Sequence, residues 1–178
     1  MLDSTLVGAA RLQLEVLGGR VSAVRSRFED AVDISVATAA DARVTLHECT
    51  LRGGELPLLV EGESWVRARH TELSDFTLAA VSAQPGEVHL EHCRVRGGGN
   101  GVEAVGGRVV LRDTWVDVPE TAVSAEETGS IEVHGGSVTA GTGVTFEAAA
   151  RQLSFTRAAA ERFVTQSAMS RQMRALED

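Results

Sequence analysis

With 178 residues, 43% of them apolar, the chain has material for one continuous core, and its net charge of −8 argues against a general nucleic-acid binder. All seventeen basic residues are arginine. No run approaches the roughly eighteen apolar residues of a membrane span, and the start MLDSTLVGAARLQ lacks the basic, then apolar, pattern of a secretion signal. The chain is therefore expected to be cytoplasmic, with neither a membrane nor a nucleic acid as partner.

From the N-terminus, Ser4 and Leu6 stand 22 residues ahead of Ser26 and Phe28, and Leu12 and Leu14 stand the same distance ahead of Ile34 and Val36. The chain thus opens partway through a repeat. An unfinished solenoid end exposes backbone groups and apolar core, so this end is expected to meet a partner protein or a second copy. The first complete unit is VSAVRSRF from Val21. It returns as VTLHECTL from Val44, VRARHTEL from Val66, VHLEHCRV from Val88, VVLRDTWV from Val109, IEVHGGSV from Ile131 and LSFTRAAA from Leu153. A period close to 22 residues marks a solenoid, in which each repeat buries its apolar face against its neighbours.

Within the unit the first, third, sixth and eighth positions are expected to point inward, while the second and fourth are mostly polar. That alternation has the period of a strand; a helix of 3.6 residues per turn would scatter the first, third and eighth positions over different faces. The sixth position is small throughout: Ser26, Cys49, Thr71, Cys93, Thr114, Gly136 and Ala158. About ten residues later each repeat carries a second, weaker apolar patch, such as Val32-Ile34-Val36, Leu58-Val60, Val102-Ala104-Val105 and Val144-Phe146. Glycine joints such as Gly53-Gly54, Gly97-Gly98-Gly99 and Gly106-Gly107 separate the patches and suit tight corners.

Two or three short strands per turn, with no helix-length insert, describe one rung of a parallel β-helix. The expected fold is all-β: a single-stranded parallel β-helix of about seven 22-residue rungs over residues 1–166. A short C-terminal helix follows over 167–178, where Met169, Met173 and Leu176 share one stripe. That helix either caps the last rung or leads into a fused domain such as an AAA+ ATPase.

The V-x-L-x-x-C-x-V lines, clearest at Val44-Leu46-Cys49-Leu51 and Val88-Leu90-Cys93-Val95, resemble the right-handed parallel β-helix repeat family, the pectate-lyase-like coil. The resemblance spans roughly residues 2–166 and implies a right-handed coil. It is specific for fold and almost silent on function, because this fold carries lyases, hydrolases, epimerases, adhesins and inert scaffolds.

Cys49 and Cys93 occupy the same inward position two rungs apart. Rung spacing places their Cα atoms about 9–10 Å apart, beyond the roughly 7 Å limit for a disulfide. Both are therefore expected to be free, buried and inert.

On the solvent face the fourth position stacks His47, Arg69, Glu91, Arg112 and His134, and the fifth stacks Glu48, His70, His92 and Asp113. Arg69, Glu91 and Arg112 lie in alternating sign, as do Glu72 and Arg94, and such neighbours stabilise a sheet without any ligand. The candidate ligand-facing ladder is Arg69, His70, His92, Arg94, Arg112 and Trp115. No catalytic cluster, metal site or cofactor motif stands out. The period varies by a single residue either way, which leaves no rung the long loop from which a cleft is built. The expected function is a non-catalytic β-helix scaffold or protein-interaction module within a larger protein or assembly. The alternative is a carbohydrate-binding or carbohydrate-processing β-helix of the pectate-lyase-like type.

Overall fold

The computed structural model describes residues 4–8, 10–141 and 143–146. The chain enters through β1 (Thr5–Val7), β2 (Leu12–Val16) and β3 (Arg20–Val24). It continues through β4 (Arg27–Glu29), β5 (Ile34–Thr38), β6 (Arg43–His47), β7 (Thr50–Arg52), β8 (Leu56–Glu61) and β9 (Trp65–Arg69). Then come β10 (Glu72–Ser74), β11 (Ala79–Gln84), β12 (Glu87–Glu91), β13 (Arg94–Arg96) and β14 (Asn100–Val105). In the last turns β15 (Arg108–Val118) and β17 (Ser130–Ala140) each run through a corner as one strand, with β16 (Thr121–Glu126) between them and β18 (Gly143–Phe146) at the end.

All these strands pair in parallel with their counterparts one turn away, giving an all-β parallel solenoid of about six turns. The seventh unit, from Leu153, and the helix expected over 167–178 lie outside the described residues. Each turn contributes three walls. The first stack is β3, β6, β9, β12 and the leading halves of β15 and β17; the second is β1, β4, β7, β10, β13 and the trailing halves. The third wall is a seven-stranded sheet built from β2, β5, β8, β11, β14, β16 and β18.

The repeat fixes the register. Val44, Val66, Val88, Val109 and Ile131 align across the first stack, as do Leu46, Ala68, Leu90 and Leu111. Every one of these is buried, and with Val36, Leu58, Val81 and Val102 of the third wall they form a single core. Val32 departs from the expected apolar patch: it precedes β5 in a joint and is exposed.

The corner between the first two stacks is made at the fifth position of the unit. Arg25, Glu48, His70, His92 and Asp113 all take positive φ between 45° and 54° there, a left-handed conformation that side chains resist. Ladder bonds hold the strained residues: the amides of Glu48, His70 and His92 donate to the carbonyls of Arg69, Glu91 and Arg112 at 2.9, 3.0 and 2.9 Å. In the last described turn the bend is taken up by glycines, and a Cβ on Gly136 (φ 82°) would fall against the Thr114 carbonyl.

This corner explains why the sixth position is small. The amides of Cys49 and Cys93 turn inward and donate to the hydroxyls of Thr71 and Thr114, each at 3.3 Å. The Thr114 hydroxyl in turn reaches the Leu90 and Arg112 carbonyls, both at 3.1 Å. Thr114 is fully buried, so Thr114→Val should orphan the Cys93 amide and lower the unfolding free energy by about 1–2 kcal/mol. Thr114→Ser should recover most of that loss, as read by urea denaturation of both variants.

Candidate functional site

The corner divides the candidate ladder into three separate parts. Arg69 and Arg112 lie on the first stack, His70 and His92 on the corner, and Arg94 and Trp115 on the second stack, where the last two are register neighbours. The six residues do not converge on one site. Trp65 opens β9 on the first stack, on a different wall from the exposed Trp115, so the two indoles form no shared platform.

The centre of the first stack is Glu91. The residue is 8% exposed, although alternation points its side chain outward. Three arginines cover it. Arg67 donates to Oε1 through Nε and Nη2 at 3.0 and 2.7 Å, Arg69 Nε donates to Oε2 at 2.7 Å, and Arg112 Nη1 stands 3.7 Å from Oε1. Burial pushes the Glu91 carboxyl up, but the arginines outweigh it and hold the group below the ordinary glutamate range. Arg67 sits at the second position of its unit, not the fourth, and reaches Glu91 along a diagonal. A signal existed in the sequence, since arginine is long enough to bridge diagonal neighbours on a sheet.

Beside this hub, Glu87 accepts from Arg108 and contacts His89 Nε2 at 2.7 Å, while Arg108 Nη2 also donates to Glu132 at 2.8 Å. Glu132 is held low chiefly by its bond from Arg108. The His89 ring lies 5.7 Å from Trp65. On the second stack Glu72 pairs with Arg96 at 2.7 Å; Arg94 is its register neighbour but not its ion-pair partner.

On the corner the imidazoles of His70 and His92 stack with centroids 5.1 Å apart and planes 8° from parallel, and His47 stands 5.7 Å from His70 at a tilt of 34°. Among the described residues no three His, Cys, Asp or Glu side chains gather to hold a metal. A shallow depression lined by Gly97, Asp117, Val118, Pro119 and Thr139 is open to solvent.

Cys49 and Cys93 are free and buried, as their spacing requires. Burial raises both thiols, that of Cys93 to about 11, so at pH 8 they are neutral and shielded. The folded chain should leave both unreactive toward a disulfide thiol reagent for hours, with two equivalents reacting on denaturation. Modification of either within minutes under native conditions would contradict this packing. Because the folded Cys93 holds its proton above the ordinary thiol value near 8.5, its contribution to stability is complete below that pH and is lost as pH rises toward about 11.

Among the described residues no helix is long and apolar enough to cross a membrane. Comparison with known families finds a similarity at the C-terminal end: the profile described as "Bacterial regulatory helix-turn-helix protein, lysR family" matches residues 144–178. Of these, only 144–146 are described, and they belong to β18. No curated protein and no solved structure matches the chain.

Proposed function

We propose that the solenoid is a non-catalytic scaffold, a protein-interaction module that offers flat charged ladders to its partners. The observation that carries this reading is the uniformity of the turns. Between β1 and β17 no joint exceeds four residues, so among the described residues no loop stands over a wall to enclose a substrate. Ligand sites are concave and mostly apolar, and an imidazole or carboxylate on an open sheet has little leverage on a bound molecule. β1, β2 and β3 each pair on one side only among the described residues, which makes the entering turn a second contact surface, suited to strand addition. The pectate-lyase-like V-x-L-x-x-C-x-V lines support a right-handed coil, but they carry no activity with them.

The experiment is a glycan array with a uronate-release assay on the wild type and Trp115→Ala. The scaffold reading predicts neither retention nor release. Glycan retention by the wild type that Trp115→Ala abolishes would replace it with a carbohydrate-binding function.

The helix-turn-helix similarity favours a second reading, in which the C-terminal segment reads DNA and the solenoid is the partner-facing part of a regulator. The matched segment holds Arg151, Arg157, Arg162, Arg171 and Arg174, and in such motifs the second helix enters the major groove. Fluorescence anisotropy of the full chain against random duplex DNA at several salt concentrations decides it. Binding that falls with salt and weakens in Arg171→Ala/Arg174→Ala would establish a nucleic-acid partner.

A further inference from the structure

The charges of this chain are sorted by wall. Although the chain as a whole carries −8, the first stack bears six arginines (Arg20, Arg43, Arg67, Arg69, Arg108, Arg112) against three glutamates (Glu87, Glu91, Glu132). Three of those arginines share the single carboxylate of Glu91. Arg20 and Arg43 face each other in register on adjacent strands, like charge against like, and neither makes an ion pair among the described residues. The seven-stranded wall is the reverse: its strands carry Glu15, Glu61, Glu103 and Glu126 and no basic residue. Asp41, Glu63 and Glu127 follow in its exit joints.

The two walls also match in shape. On the acidic wall the row Glu15, Ala37, Leu59, Ser82, Glu103, Ser124 alternates with the buried core ladders on either side; Glu15 is exposed and Leu59, Glu103 and Ser124 half-buried, while Ala37 and Ser82 are covered. Both walls repeat at one strand spacing, roughly 4.8 Å, so charges on two rods laid side by side recur in step.

We propose that the arginine-bearing first stack of one copy docks along the acidic seven-stranded wall of a second copy. The inference rests on the scaffold reading and names its partner. Since the two walls belong to different sides of one rod, the contact is head-to-tail and open-ended, adding copies laterally. Glu103 fits this role: burial raises its carboxyl, and neighbouring Glu126 raises it further despite the bond from Asn100, a repulsion that an arriving arginine would relieve. Six strands of five residues give a face of roughly 500 Å² per copy, about 1,000 Å² in all, in the range of weak, transient contacts. The net charge of each copy opposes approach, but at about 0.1 M salt the Debye length is about 10 Å. At that strength whole-molecule repulsion is screened while charges in contact still attract.

Sedimentation equilibrium of the full chain, at roughly 10 μM to 1 mM protein, should show association in the micromolar range or weaker at about 0.1 M salt and a monomer at about 1 M. Arg20→Glu/Arg43→Glu should weaken association at least tenfold, as should Glu15→Arg/Glu61→Arg. The first pair keeps a like-charge neighbour in place, so its melting temperature should stay close to that of the wild type. Mixing the two variants should restore association, because each then offers the wall the other requires. A monomer at every concentration, or association that survives 1 M salt and both charge reversals, would overturn lateral docking. Either result leaves the scaffold reading standing, since that reading is tested separately, by glycan retention and by the short joints between turns.

Discussion

Leu90→Ala is expected to lower the unfolding free energy by about 3–5 kcal/mol, the upper part of the range for deleting a buried leucine. The reason lies in its ladder. Leu90 is fully buried between Ala68 and Leu111, and Ala68 is itself small. Truncation would set two alanines side by side, with little bulk to collapse into the space. In a solenoid each turn is stabilised by its neighbours, so a fault in the fourth of six turns weakens contacts on both sides. Guanidinium denaturation should show a lower midpoint with an unchanged slope. Leu78→Ala, at a side chain 56% exposed, should change stability by less than about 0.5 kcal/mol.

Glu91→Ala should cost about 2–3 kcal/mol. Removing one partner of a buried ion pair costs roughly 3–5 kcal/mol, but Arg67, Arg69 and Arg112 are a third to a half exposed, and solvent screens part of what they lose. The loss should shrink in 1 M salt, which damps repulsion among the three arginines. The wild type should show the same interaction as acid sensitivity. The folded Glu91 carboxyl lies below its unfolded value, as do those of Glu87 and Glu132. Their stabilisation is therefore present above the ordinary glutamate value of about 4.3 and is lost as pH falls through the depressed folded values. In Glu91→Ala the acid loss below about pH 4.3 should be visibly smaller. Equal acid sensitivity in both proteins would remove Glu91 from its central place on the first stack.

The solenoid was legible because its signal is repeated. The identity of most inward positions, the parallel register and the free cysteines follow from spacing, since one residue of slip would turn the inward valines to solvent; Val133, third in its unit and expected inward, is 42% exposed instead. What spacing does not carry is side-chain reach and local backbone conformation. Glycine joints suggested where the coil bends, yet the bend between the first two stacks falls on Glu48, His70, His92 and Asp113; histidine and aspartate take positive φ more readily than most side chains, but only a few per cent of non-glycine residues do so, too weak a signal to place a corner. The hydroxyls of Thr71 and Thr114 looked merely small; their role as acceptors for inward amides depends on that bend. Register alignment placed Glu72 beside Arg94, but the flexible guanidinium that meets it belongs to Arg96. For the same reason the candidate ladder, continuous in sequence alignment, divides across a corner into Arg69 with Arg112, His70 with His92, and Arg94 with Trp115.

The scaffold reading depends on turns that repeat without departure and build no cleft. Amide hydrogen exchange read by mass spectrometry tests this most directly, because joints and long loops exchange fast while ladder amides are protected. Protection recurring every 22 residues from β2 through β17, with unprotected runs of no more than about four residues, is the result expected from the short joints. An unprotected run of about ten residues or more between Leu12 and Val138, long enough to form the wall of a cleft, would contradict it.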